Sequence, residues 1–168
     1  MATTPPRTRA AGRRSETARA RLLVVHQDAP TLLAIKRGLE GGALAEAVGA
    51  RSPSAALDRL RDGTPPDAVL LFWRLPDHGA LQFIWALDQL GLARRPFLLA
   101  FADQWPEDDL SRAMQLGVDG FFPYPLDAAR VVSELGTLRA TGQAPSRTRL
   151  LHKGADRLLR PNDRLWSS

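Results

Sequence analysis

The stretch "PPDAVLLFWRLPDHGALQFIWAL", residues 65–87, decides the fold. Ala68 to Trp73 are apolar without a break. A run of that length, bounded by prolines, reads as a strand buried on both faces, as in a parallel sheet. "RLPDHG" (74–79) follows, with Pro, Asp and Gly in turn positions. "ALQFIWALDQLG" (80–91) then has helical spacing, and Leu81, Ile84, Trp85 and Leu87 are predicted to face inward. Strand, turn and helix make one βα unit.

The same unit recurs on either side. "RLLVVHQ" (21–27) is a first apolar strand, and Leu32, Leu33, Ile35 and Leu39 give the next helix its apolar stripe. "ALAEAVGA" (43–50) is a weak second strand. The helix after it has Ser52 as N-cap, Pro53 at the first position and Gly63 beyond the end. "RPFLLAFA" (95–102) is a fourth strand. The helix that follows carries Glu107, Asp108 and Asp109 in its first turn, where the helix dipole favours acids. "VDGFFPYP" (118–125) is a short fifth strand, and "LDAARVVSELGTLRA" (126–140) is the last helix. Five alternations of continuous apolar strands with helices predict an α/β, doubly wound, five-stranded parallel sheet. Sites in such sheets lie at the carboxyl ends of the strands.

Charge divides the 168 residues into three parts. Residues 1–21 hold six Arg and one Glu, and residues 138–168 hold six Arg, one Lys and two Asp. Between them lie ten basic and fifteen acidic side chains, so an acidic domain carries two basic arms. A uniformly basic nucleic-acid-binding domain has a different distribution. We divide the chain into a basic arm expected to be disordered (1–20), the α/β domain (21–140) and a second basic arm (141–168). Cysteine is absent, which excludes disulfides and thiolate sites and fits a cytoplasmic location. No run approaches the roughly 18 apolar residues of a membrane span.

Residues 21–140 resemble the receiver domain of bacterial response regulators, the CheY-like family, a (βα)5 flavodoxin-like fold. The match rests on "LLVVHQDAP", on the stretch quoted above, on "RPFLLAFA" and on "AMQLGVDGFFPYPLD". The resemblance implies a phosphoryl-accepting pocket at the strand ends, but its chemical positions are substituted here and only the aromatic switch position stays aromatic. The acidic pair that holds Mg²⁺ falls on His26 and Gln27, with Asp28 just beyond. The phosphoacceptor aspartate falls on Phe72. The switch Thr or Ser falls on Phe101, or on Ala100 if the register slips by one. The lysine before proline falls on Tyr124, and the aromatic switch position on Phe121. Phe72 cannot be a nucleophile, Gln27 is a poor ligand for a hard cation, and Tyr124 is uncharged at neutral pH. We therefore expect a degenerate pseudo-receiver with no catalytic residue, metal or cofactor.

Phe72, Phe101 and Tyr124 either plug the space or line a hole for a small ligand. His26 is expected to be a hydrogen-bonded pocket residue, since no second His or Cys lies near it in sequence. Trp105, ahead of the fourth helix, is either an exposed anchor or a ring folded back on the domain. With Arg112 and Phe121 it marks the face of fourth helix, fifth strand and fifth helix, the family's usual partner or dimer surface. In the last arm, Arg149, Lys153, Arg157 and Arg160 share one side of a helical wheel, with Leu151, Ala155, Leu158 and Leu159 opposite. That segment reads either as a short amphipathic helix or as a solvated tail. The expected function is a phosphorylation-independent interaction module in bacterial signalling or transcriptional regulation. The partner is a protein or a second copy of the chain. The alternatives are nucleic acid bound through the Arg-rich arms, and gating by a small ligand.

Overall fold

The computed structural model describes residues 19–142 except Leu44. In chain order the elements are β1 (Ala20–Val25), α1 (Ala29–Glu40), β2 (Ala45–Ala50), α2 (Pro53–Asp62), β3 (Ala68–Phe72), α3 (Gly79–Gln89), β4 (Phe97–Ala102), α4 (Glu107–Gln115), β5 (Gly120–Pro123) and α5 (Ala128–Thr141). The five strands form one parallel sheet in the order β2-β1-β3-β4-β5. β2 and β5 are the edges, and β1, β3 and β4 form the middle. All five residues of β3 are buried, which is why its sequence does not alternate.

Connections between parallel strands are right-handed. The crossover from β1 to β2 runs opposite to the crossovers from β2 to β3, β3 to β4 and β4 to β5. Right-handedness therefore puts α1 on one face of the sheet and α2, α3 and α4 on the other. α5 packs beside α1, and α2 beside α3. Local sequence fixes the helix starts. Asp28 caps α1 through the Thr31 N–H at 3.0 Å, Ser52 caps α2 through Ala55 at 3.1 Å, and Asp127 caps α5 through Arg130 at 3.2 Å. The short turn after β3 closes with Asp77 and His78 both in the left-handed region, at φ 57° and 56°. Asp and His visit that region more readily than branched residues.

Two helix stripes differ from expectation. Trp85 is 68% exposed, and Leu33 is 45% exposed. The buried positions of α3 are Ala80, Phe83, Ile84 and Leu87, a stripe at i, i+3, i+4 and i+7. Leu81 and Trp85 fall on the flank of that stripe. Every turn of α3 carries more apolar residues than one face can bury, so hydrophobicity alone could not orient it. In α1, Leu32, Ile35 and Leu39 are buried, and Leu33 points away from them.

Candidate functional site

The sheet brings the expected pocket positions together at its carboxyl end. β1 continues one residue beyond its strand, with the His26 N–H bonded to the Ala50 carbonyl at 3.1 Å. Phe72 and Phe101 are register partners on β3 and β4. The Tyr124 N–H donates to the Ala102 carbonyl at 3.1 Å. Four rings then line up across three strand ends and the residue after β5. Centroid separations are 4.3 Å for His26–Phe72, 5.3 Å for Phe72–Phe101, 6.1 Å for His26–Phe101 and 6.2 Å for Phe101–Tyr124. These spacings fall in the range of favourable aromatic contact. Phe101 is fully buried and Phe72 is 8% exposed. Ala100 is Phe101's neighbour in the strand, so its side chain points to the other face. The ring sequence places Phe101, not Ala100, in the pocket.

His26 and Asp28 are already committed to intramolecular bonds, whereas Gln27 Oε1 is buried without a hydrogen-bond partner among the described residues. The Asp28 N–H donates to His26 Nδ1 at 3.0 Å, so the ring proton of neutral His26 sits on Nε2. Burial lowers the His26 pKa below its ordinary value, and the charges of Asp28 and Asp103 oppose that only in part. The Asp28 carboxylate accepts from both the hydroxyl and the N–H of Thr31, and those bonds hold its pKa down. Arg51 donates from Nε and Nη2 to the Gln27 carbonyl at 3.3 Å. A hard divalent cation with a phosphoryl group needs several free oxygen ligands. Here one nitrogen is bonded, one carboxylate caps a helix, and a phenyl ring lies against the imidazole. The residues present do not fit Mg²⁺. Among the described residues, no group of three or more His, Asp or Glu could hold a metal ion, and no helix is long and apolar enough to cross a membrane.

Trp105 takes the second of its two readings. It is 8% exposed, and Nε1 donates to the Phe122 carbonyl at 3.1 Å. Its ring stands edge-on to Phe121 at 5.4 Å and beside Trp73 at 5.7 Å. Phe121 is fully buried. Neither ring can be an exposed anchor, because each fills space under the loop from β4 to α4 and satisfies its contacts there. Arg112 is exposed on α4. Arg149, Lys153, Arg157 and Arg160 lie outside the described residues. Sequence reasoning placed Trp73 and Asp103 at strand ends but gave neither a role. Trp73 follows Phe72 directly, so it had to point to the opposite face and meet a partner there. Asp103 follows β4 and acts on His26 across the sheet, which chain distance conceals.

No family model matches the chain. It is similar to the phosphate regulon transcriptional regulatory protein PhoB of Klebsiella pneumoniae, 28% identical over 115 residues, which cover 68% of this chain and 49% of that protein. The corresponding protein of Escherichia coli is 27% identical over the same length. The chain thus spans about half the length of the curated relatives it matches. Among solved structures, a response regulator receiver domain protein of Clostridium thermocellum aligns with TM-score 0.62 and 17% identity, over 72% of this chain and 97% of that one. A LuxR-family two-component response regulator of Aurantimonas aligns with TM-score 0.64 and 22% identity, over 76% and 89% of the two chains. Strand order, helix placement and these neighbours agree: the described residues have the fold of a response regulator receiver domain of the CheY-like type.

Proposed function

We propose that the chain is a pseudo-receiver: an atypical response regulator that works by protein–protein contact in bacterial, cytoplasmic signalling or transcriptional regulation, without phosphorylation and without catalysis. The observation that carries this reading is the Phe72 ring, packed against His26 at 4.3 Å in the position of the phosphoacceptor. Phosphoryl transfer in a receiver requires a carboxylate nucleophile, a cation and a group that neutralises the developing charge. Phe72, the committed polar groups around His26, and Tyr124 supply none of the three. A desolvated ring cluster also stabilises the fold more than an empty acidic pocket would. Control then lies in abundance, partner binding or assembly, and the face of α4, β5 and α5, where Arg112 is exposed, is one surface for a protein partner or a second copy. Incubating the protein with acetyl phosphate and Mg²⁺ is expected to leave its mass unchanged. A gain of one phosphoryl group on this domain overturns the proposal.

The charge distribution favours one second reading, binding of nucleic acid through the arms, since twelve arginines lie in residues 1–21 and 138–168. Phosphate contacts release counterions, so such binding falls steeply with salt. A mobility-shift titration at two salt concentrations tests it, and affinity that does not change with salt rejects it. The filled ring cluster disfavours a small ligand at the strand ends.

A further inference from the structure

Trp85 has no role in the reading above, yet it is the most exposed of the large apolar side chains among the described residues, at 68%. Beside it runs a groove of about 620 Å³ between α2 and α3, lined by Pro53, Leu57, Arg61, Leu81, Trp85 and Ala86. The groove has a fixed upper end, because a Cβ on Gly79 would meet Pro53 Cγ at 3.1 Å and Leu75 Cβ at 3.0 Å. The two helices meet there without a spacer. Neither helix contains Lys or Glu, their Asp58, Asp62 and Asp88 lie outside the groove lining, and the patch combines Trp with Arg. Surfaces with that composition are typical of the buried centres of protein interfaces.

We propose that this face binds the same face of a second copy of the chain. One patch carries both a protruding ring and an open apolar groove. A two-fold interface has that requirement, since each surface must complement itself. α2 and α3 run in the same direction. A two-fold axis parallel to them sets α2 of one copy over α3 of the other, and each Trp85 enters the other copy's groove against Leu57. The rim charges agree with this arrangement. Arg61 lies near the end of α2, and Asp88 near the end of α3, so Arg61 of one copy faces Asp88 of the other. Within one copy these residues make only exposed pairs, Arg61–Asp58 at 3.2 Å and Asp88–Arg95 at 3.3 Å. Exposed pairs are worth little and exchange readily. The proposal is independent of the chemistry at the strand ends, and it leaves the face of α4, β5 and α5 free for another partner.

Sedimentation velocity of the full chain over a concentration series tests it. The wild type is expected to show a concentration-dependent dimer, and Trp85→Asp a monomer with unchanged far-UV circular dichroism. Arg61→Asp sets like charges opposite each other twice across the axis, as does Asp88→Arg. Each variant alone is therefore expected to be monomeric. An equimolar mixture of the two pairs opposite charges at both positions and is expected to dimerise. A wild type that stays monomeric at every concentration overturns the proposal, as does a dimer that survives Trp85→Asp. A mixture no more associated than either charge variant alone overturns it too.

Discussion

His26 shows how one buried side chain ties the strand-end cluster to pH. Burial holds its pKa below the unfolded value of 6.5, so between the two values the unfolded chain binds the proton and the folded chain does not. Stability is therefore full above pH 6.5, declines as the pH falls below it, and levels off once the pH passes below the lowered native value. Asp28 acts in a separate, more acidic window. Its pKa is depressed below 3.8, so its contribution is present above that value and is lost as the pH falls through the native one. Urea unfolding between pH 7.5 and 5 is expected to show the His26 decline, and His26→Gln to flatten it. Phe72 makes the complementary point. Phe72→Ala removes a nearly buried ring and is expected to cost about 3–5 kcal/mol in urea unfolding. Phe72→Asp returns a nucleophile but neither the acidic pair that would hold Mg²⁺ nor an ammonium, so acetyl phosphate with Mg²⁺ is expected to leave that variant unmodified as well. The two positions were legible in sequence because His26 directly follows one apolar strand and Phe72 ends another. Asp28 was less legible. It could be read as a leftover metal ligand, and only the Thr31 bonds show it acting as a helix cap.

At the level of elements, strands and caps were easy to read and helix faces were not. A short apolar run with no polar alternation and turn residues at both ends fits a doubly covered strand, and Ser52-Pro53 announces α2 one residue ahead. α3 was ambiguous because Leu81 and Trp85 extend its apolar surface beyond the stripe that Phe83, Ile84 and Leu87 bury. Such surplus hydrophobicity is itself a signal of a second interface, but it does not say which stripe faces the sheet. The loop from β4 to α4 depends on Trp105, which wedges between Trp73 and Phe121 and donates to the Phe122 carbonyl. Trp105→Phe keeps most of the ring but removes that hydrogen bond, while the β4–β5 ladder still pairs the Phe122 carbonyl, and it is expected to cost about 0.5–1.5 kcal/mol. Near-UV circular dichroism during urea unfolding would show both the loss of stability and the loss of tryptophan coupling. β2 is held to α1 more tightly than its weak sequence suggests. A Cβ on Gly49 would stand 2.9 Å from Leu32 Cδ2 and 3.1 Å from Leu32 Cγ, and Leu32 is buried. Gly49→Ala is expected to cost about 1–3 kcal/mol through overpacking, measured in the same way.

Across the whole molecule, the three-part charge pattern and the five βα alternations were visible in the sequence. Handedness places the helices on the two faces once the strand order is known, but the contents of the strand-end pocket required the register between strands. That register decides whether a receiver fold still couples its stability to a cation. A ligand that binds only the native state raises stability by RT ln(1 + [L]/Kd), about 2.7 kcal/mol at a hundredfold excess over Kd. For a domain of this size, such a gain raises the melting temperature by several degrees at least. A receiver with an open acidic pocket would show that rise with Mg²⁺, and a larger one with Mg²⁺ and beryllium fluoride together. In this chain the imidazole nitrogen, the Asp28 carboxylate and the space against Phe72 are already taken by intramolecular contacts. A cation that took Asp28 as a ligand would have to break the α1 cap, and one seated beside it would have to displace the Phe72 ring; both losses count against its affinity. Differential scanning calorimetry is therefore expected to give the same melting temperature with no addition, with millimolar Mg²⁺, and with Mg²⁺ plus beryllium fluoride. A rise with Mg²⁺ that Asp28→Asn abolishes would mean that Asp28 leaves Thr31 to ligate the ion.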